Sequence, residues 1–550
     1  MSDRPIRSRE WREYEITGRV DSDARMVFFG AILSGNGKSW WDGFHLRVKG
    51  EEGDWEDLDI QNPGFEEDTA GRIPGQWAGK SPGYNYIVQK NNPAEGQNCL
   101  LLESGSIPFK GKLFGEHPKI GEAVIKELDG GLSCRIPLAL PGDEGGTWNA
   151  HKNGAFDTLV SKIESFDPGR HTAEREDVRL AGVTIAWNVF QHFYPYFDEA
   201  GVDWDAELTH ALTEALADRD AEEFYATLSR MVAKLKDGHG NVMHESRFGL
   251  EGFPIRLEWI ESKLVVTASQ DPRHFRRGDI IRSIDGVEAE KALLEDEKLI
   301  SGSSQWKRIQ SCRRFGYGKS GTFARFVIKR GEDILSFEAE RNFRGAVLEQ
   351  KGPPIQELEK GVFYVDLDRA QWNVIRERIG TLAQAEGVIC DMRGYPKGNH
   401  EIICHLLKEK DTSGAWMRIP QIIYPDREKI AGYHKMGWHL VPKEPHIKGK
   451  VAFVTDARAI SYAESFLSFV EHYKLGEIIG GPTAGANGNV NPFSLPGGYT
   501  IAWTGMKVLK HDGTRHHLIG IQPTVPCERT IQGVREGRDE LLAKALEVVR

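Results

Sequence analysis

From about residue 360 the chain alternates short apolar runs with helical stretches, and no other feature constrains its fold as tightly. GVFYVDL (361–367), GVICDMRG (387–394), KVAFVTD (450–456) and EIIGG (477–481) read as strands. Helices are expected through 371–386, near 400–408 and after Ser461, where Phe466, Leu467, Phe469 and Val470 carry helical spacing. Strands and helices in that order bury a mixed sheet, so residues 351–550 are read as an α/β domain.

The chain has 550 residues, more than the ~250–300 that one core supports, and three further blocks precede this domain. Residues 1–170 hold strand-like runs (EYEITGRV, ARMVFFGAIL, FHLRV, YNYIVQ, NCLLLES, SCRIPLAL) between Gly, Asp and Asn turns, the pattern of a β-sandwich. Inside it NPGFEEDTAGRIPGQW (62–77) resembles the opening of carbohydrate-binding-type jelly rolls. The resemblance makes carbohydrate a candidate ligand there, against a purely structural sandwich. Residues 171–245 read as a helical bundle, with positions 180, 183, 184, 187 and 190 forming the stripe of its first helix, which ends near Pro195. His192, Phe193, Tyr194, Tyr196 and Phe197 are expected to pack rather than to do chemistry.

Residues 246–350 carry FGLEGFPIRL, KLVVTA, RRGDIIRSIDGVEA and FARFVIKRGEDILSFEAER. The Gly278–Asp279 turn and the Asp285–Gly286 hairpin resemble those of PDZ modules in bacterial proteases. Such modules add an extended peptide as an extra strand and hold its terminal carboxylate with backbone amides. The basic segments 274–279 and 306–319 are either a solvated face or an attraction for that carboxylate.

Composition excludes several functions. A net charge of −10 argues against a nucleic-acid partner, and no stretch resembles a membrane span of ~20 residues. GGPTAGANGNV lacks the Gly-Lys-Ser/Thr of a P-loop, and no His/Cys/Asp cluster has metal spacing, so no cofactor is expected. The six cysteines are scattered and the N-terminus lacks an apolar signal core, so reduced, buried thiols and a cytoplasmic location are expected.

AISYAES (459–465) raises the catalytic question. A serine at a sharp strand-to-helix junction is how several unrelated hydrolases hold a nucleophile in the open. A serine hydroxyl needs a base, and His239 in LKDGHGNV (235–242) sits among glycines that leave its ring accessible. CDMRGYPKGN (390–399) turns through Gly394 and Gly398 and could present backbone N–H groups to an oxyanion. Taken singly, Ser461 could be a helix cap and Asp-Gly-His a turn.

The order helical bundle, Asp-Gly-His, PDZ-like module, Asp-x-Arg turn, Ser-x-x-Glu, Thr-x-Gly and Gly-Ile-x-Pro resembles the tail-specific (C-terminal-processing) serine peptidases and the tricorn core protease. The resemblance runs over roughly 175–550, through LKDGHGNV, VTDARAISYAESF, IIGGPTAGANG and GIQPTVP. It implies a crotonase/ClpP-like catalytic domain and a peptide or protein substrate. Ser461 matches the nucleophile, the Tyr462 N–H an oxyanion donor, and Gly398 or Gly394 the second donor. The Ser/Lys branch places a lysine in Thr-x-Gly-Lys, but here that segment is Thr483–Ala484–Gly485–Ala486. The tricorn-like branch implies His239 as the base, and imidazole, with an ordinary pKa near ~6.5, suits that work. The acid that would orient His239 is unassigned: Glu464 and Asp237 are available, while Arg515 to Ile519 replace the glutamate the branch carries before Gly-x-x-Pro. The alternatives are a non-catalytic binder on the same fold, and a hydrolase or acyl transferase of small molecules. A homo-oligomer is compatible with either.

Overall fold

The computed structural model describes residues 172–349, 351–396 and 398–550, preceded by 10–18, 29–31, 33, 37–50, 53–70, 77, 84–104, 116–143, 146–148 and 154–165. The chain forms two compact units, residues 1–113 and 114–550.

In the first unit, strands Lys38–Trp41, Cys99–Ser104 and Tyr84–Gln89 form one antiparallel sheet, and Leu46–Lys49 pairs with Trp55–Leu58. Phe65, Val88 and Leu100 form a small core with Trp41, Phe44 and Trp77 packed against it. Phe65 and Trp77, the aromatic residues near the two ends of the 62–77 motif, meet with ring centroids 5.5 Å apart. A polar depression of about 420 Å³ is lined by Glu66, Asp68, Lys90, Gln97 and Asn98 among others. Most of ARMVFFGAIL lies outside the described residues, and 13–18 of EYEITGRV is irregular rather than strand. The last expected run pairs as a hairpin, Ala123–Leu128 with Leu132–Pro137, and belongs to the second unit, so the 1–170 block falls across both.

The second unit is organised by a six-stranded sheet in the order Ile355–Glu359, Val362–Asp366, Gly387–Asp391, Lys450–Thr455, Glu477–Gly480, Val525–Pro526. Only the first pair is antiparallel. Its central strands Val362–Asp366, Gly387–Asp391 and Lys450–Thr455 read as nearly unbroken apolar runs because both faces are covered. Val388, Cys390, Val451 and Phe453 pack in one cluster with Phe466, Leu467 and Val470 of the Tyr462–Tyr473 helix. Ile389, Ala452, Val454 and Ile479 face the other way, onto Leu541, Ala545 and Val549 of the Glu540–Val549 helix. The register sets Asp366 beside Asp391, Asp391 beside Val454, and Thr455 beside Gly480. Five parallel strands therefore end along one edge, where ligands of open α/β sheets gather.

Helices Glu176–Phe193, Trp204–Ala217 and Ala221–Lys234 precede this sheet, the last two started by the Asp203 and Asp220 side chains accepting backbone N–H groups. Their core is shared with the end of the chain: Val183, Phe190, Phe224 and Leu228 pack with Tyr499, Ile501 and Trp503. Tyr194 and Tyr196 are buried, the Tyr194 hydroxyl donating to the Leu235 carbonyl and the Tyr196 hydroxyl accepting from the Val508 N–H. Phe193, expected to pack, is 48% exposed; the chain leaves the helix in extended conformation at Tyr194, whose ring occupies the interior. The Val490–Ser494 and Thr500–Thr504 strands form a hairpin, and Asn241–Met243 adds to its outer edge.

Residues 255–340 form a sheet in the order Ile255–Ile260, Lys263–Ser269, Ile280–Ile284, Phe323–Arg330, Asp333–Glu340, with helices Ala289–Glu297 and Ser304–Arg313. Asp285 and Gly286, with φ of 48° and 80°, close a two-residue hairpin between Ile284 and Val287, as the sequence predicts. Asp279 of the Gly-Asp turn is buried and receives two hydrogen bonds from Arg330.

Candidate active site

Three of the loops leaving the parallel sheet edge converge. After Thr455 the chain turns through Asp456–Arg458 to Ser461, the residue preceding the Tyr462–Tyr473 helix. Ser461 has φ 57° and ψ −111°, a left-handed backbone that costs a non-glycine residue about 1–3 kcal/mol and persists only where the surroundings impose it. Here they do. The Ser461 N–H donates to the Ala486 carbonyl at 2.9 Å, and the Ala484 N–H to the Ala459 carbonyl at 2.9 Å, lacing the elbow to the segment that follows Gly480.

Glu464 organises that lacing from beneath. It is fully buried and accepts from the Thr483 hydroxyl (2.5 Å), the Gly485 N–H (2.6 Å), the Ala486 N–H (2.9 Å) and the Ser461 N–H (3.3 Å). His516 Nε2 lies 3.4 Å from its Oε1. Burial alone would raise the Glu464 carboxyl; the adjacent imidazole and the hydrogen bonds outweigh it and hold the group below the usual carboxylate range. Glu464 thus supports the elbow from the core and has no exposed surface to offer a substrate.

The Gly387–Asp391 strand feeds the second loop. Asp391 is buried between Arg393, Lys351 and the Tyr364 hydroxyl, and Arg393 also pairs with Asp539. Desolvation would raise Asp391, but Arg393 and Lys351 dominate and depress it strongly. The two glycines of this loop differ. The Gly394 N–H is already donated to the Met392 carbonyl at 2.8 Å, and a side-chain carbon there would lie 2.6 Å from Asp368. Gly398 has φ 70°, is exposed, and its N–H makes no hydrogen bond among the described residues. Buried Asn399 anchors it by donating to the Leu367 and Ala370 carbonyls. One residue further, His400 Nδ1 lies 2.5 Å from the Tyr462 hydroxyl, joining this loop to the helix that Ser461 begins. The Tyr462 N–H, first in that helix, likewise has no acceptor among the described residues.

His239 arrives from elsewhere in the chain, on the turn between the Ala221–Lys234 helix and the Asn241–Met243 strand. A side-chain carbon at Gly238 would lie 2.5 Å from the Ala486 Cβ, so only glycine lets the His239 turn seat on the residue whose carbonyl holds Ser461. Ala486 therefore lies between the two candidate residues. His239 and Ser461 form no hydrogen bond with each other; His239 Nδ1 instead lies 2.8 Å from the Thr504 hydroxyl. Asp237 is fully buried and accepts from the His239 N–H (3.0 Å), the Thr504 hydroxyl (2.7 Å) and the Thr504 N–H (2.6 Å). Sequence reasoning missed Thr504 and His400, which no motif surrounds, and gave no role to Asn399, which ends the CDMRGYPKGN turn. Lys474 and Lys507, the lysines that follow Ser461 most closely in sequence, are not available as bases: Lys474 is exposed at the far end of the helix, and Lys507 pairs with Glu199 at 2.7 Å.

The 306–319 basic segment is partly paired rather than a free solvated face. Arg308 meets Glu297 at 2.5 Å and lies over the Trp259 ring, and Arg314 meets Asp296 at 2.7 Å. Cys390 and Cys404 are buried and unpaired, and burial pushes the Cys390 thiol up to about 12, so it is inert. Among the described residues no three His, Cys, Asp or Glu are disposed to hold a metal, and no helix is long and apolar enough to cross a membrane.

The comparisons bear on the fold that carries these loops. The profile of peptidase family S41 matches residues 362–527, which span the six-stranded sheet from its second strand and both strand-end loops. A solved structure of mature CPAF complexed with lactacystin superimposes with a TM-score of 0.55 at 13% identity, over 68% of this chain and 97% of that one. The photosystem II D1 C-terminal processing protease gives 0.38 at 15% identity, over 64% of this chain and 93% of the other. The tricorn protease gives 0.36 at 15% identity, over 68% of this chain and 36% of its own. At such identities the likeness concerns the fold. No curated protein matches the chain by sequence. The span that matches peptidase family S41 holds the strand-end serine, and the chain is a serine peptidase.

Proposed function

We propose that this peptidase cleaves by a Ser–His mechanism, with Ser461 as nucleophile and His239 as general base. The observation that carries the reading is Ala486, whose carbonyl holds the strained Ser461 backbone while its side chain seats the His239 turn. The Ser461 hydroxyl attacks the substrate's carbonyl carbon and His239 takes its proton. The oxyanion is held by the Tyr462 and Gly398 N–H groups, both without acceptors among the described residues. Collapse expels the amine, protonated by His239, and water repeats the sequence on the acyl-enzyme. The occupied Gly394 N–H favours Gly398 as second donor. Ala486 also explains the missing lysine, since a longer side chain there has no room beneath Gly238.

The 246–350 block serves as a PDZ-like reader of substrate C-termini. Its edge strand Ile255–Ile260 follows the FGLEGF loop and lies beside the Ser304–Arg313 helix, the groove in which an extended peptide would add.

Turnover of peptides with free and amidated C-termini tests both statements. Ser461→Ala and His239→Ala should each lower kcat by several orders of magnitude, of the order of ~10⁴–10⁶, in a folded protein. The free-acid peptide should be cleaved at lower KM than its amide. An active Ser461→Ala or His239→Ala variant removes the residue concerned, and equal KM values for acid and amide remove tail reading.

A further inference from the structure

We infer that the Thr504 hydroxyl, seated on Asp237, positions His239 as the base and takes the place of the carboxylate that usually orients a catalytic histidine. The inference rests on the Ser461–His239 reading and names its missing third member.

Proton counting gives the argument. Both oxygens of Asp237 face donors: Oδ1 the His239 N–H and the Thr504 hydroxyl, Oδ2 the Thr504 N–H. The Thr504 hydroxyl has one proton, and at 2.7 Å from Asp237 Oδ1 it is donated there. Towards His239 Nδ1, 2.8 Å away, the same oxygen can then only accept. Neutral His239 therefore carries its proton on Nδ1 and leaves the Nε2 lone pair to receive the serine proton. The opposite tautomer would need the hydroxyl to turn towards the ring, stripping a donor from a fully buried carboxylate.

The backbone fixes this arrangement. Asn241, Val242 and Met243 pair with Ala502, Ile501 and Thr500. Carried two residues back, that register sets His239 opposite Thr504. Thr504 is itself buried at 1% exposure, and its backbone N–H is tied to Asp237, so the hydroxyl has little freedom to point elsewhere. When His239 accepts the serine proton, the imidazolium finds an oxygen dipole on Nδ1–H, polarised by the Asp237 carboxylate one bond behind it. Thr504 and Asp237 act through His239 and are positioning residues.

Thr504→Val keeps the shape and removes the hydroxyl. It should lower kcat by roughly 10²-fold with KM nearly unchanged, since general-base catalysis contributes about 10²–10⁴. Thr504→Ser should return kcat to within about threefold, because it restores the one-proton hydroxyl. In a His239→Ala background, Thr504→Val should change nothing further, because its effect passes through the imidazole. In the unmutated protein, ¹⁵N NMR of histidine-labelled enzyme, assigned by subtraction of His239→Gln, should show the proton on Nδ1. Full activity of Thr504→Val beside an inactive His239→Ala would overturn this inference and leave the Ser–His reading standing. An active His239→Ala would overturn the reading beneath it. If Thr504→Val does not fold, the NMR measurement decides: a proton on Nε2 of His239 overturns the inference.

Discussion

Around Ser461 one carboxylate gathers four donors, Glu464 with Thr483, Gly485, Ala486 and Ser461 itself, all of them on the elbow or the segment laced to it. Around His239 the ring is met by a single hydroxyl, and the carboxylate behind it, Asp237, holds that hydroxyl, the Thr504 N–H and the His239 N–H but not the ring. The first arrangement fixes a strained backbone and belongs to the core of the sheet. In the proposed reaction the second orients a ring that gains and loses a proton, and it depends on two strands meeting in register. A nucleophile needs only its position, whereas a base needs a position and a tautomer.

The largest effect that would break this comparison is expected at Glu464. Glu464→Gln keeps the volume but sets an NH₂ against groups that are all donors. A folded but less stable enzyme is expected, by about 2–4 kcal/mol, the cost of leaving buried donors to a charged acceptor unpaired. Urea unfolding alongside turnover measures this. Activity and stability should fall together, in contrast to Thr504→Val, which should lose activity with much less loss of stability. If Glu464→Gln were as stable as the parent, the elbow would not depend on that carboxylate.

Acid separates the two sides by a smaller effect. Buried His517 stacks on Tyr196 with centroids 3.9 Å apart, and burial lowers its pKa to about 4. Unfolded, the imidazole titrates near ~6.5, so the unfolded chain binds the extra proton first. The stability it contributes is complete above that value and is lost as pH falls towards 4, an effect of up to roughly 3 kcal/mol. Glu464, held below its ordinary range, keeps its contribution until the pH is lower still. Tm followed from pH 7 to 4 should therefore fall in part through His517, alongside His511, which burial also lowers to about 4, and His517→Gln should flatten that part of the curve. An unchanged slope in the variant would remove His517 from the acid response.

These two sides also mark how far the sequence could be read. Val451–Val454 is apolar at every position because both sheet faces are covered, so the strand, and with it the serine at its end, was legible. His239 was legible as a residue but its partner was not, since Thr504 lies 265 residues away and carries no motif. Gly394 and Gly398 look alike in sequence and separate only once the Gly394 N–H is seen to be occupied. The helices before residue 240 were visible by their spacing, while the sharing of their core with Tyr499, Ile501 and Trp503 depends on tertiary packing alone. The strand-like runs of 1–170 are short and separated by turns, which carries no signal of where one unit ends, and the structure divides them between two units.

The central claim is that Ser461 is a nucleophile activated by His239, and a fluorophosphonate probe with peptide mapping of the labelled site tests it most directly. The account predicts one labelled residue, Ser461, with the rate of labelling lowered by at least about 10²-fold in His239→Ala. Label on another residue, or labelling of Ser461 at the same rate without His239, would contradict it.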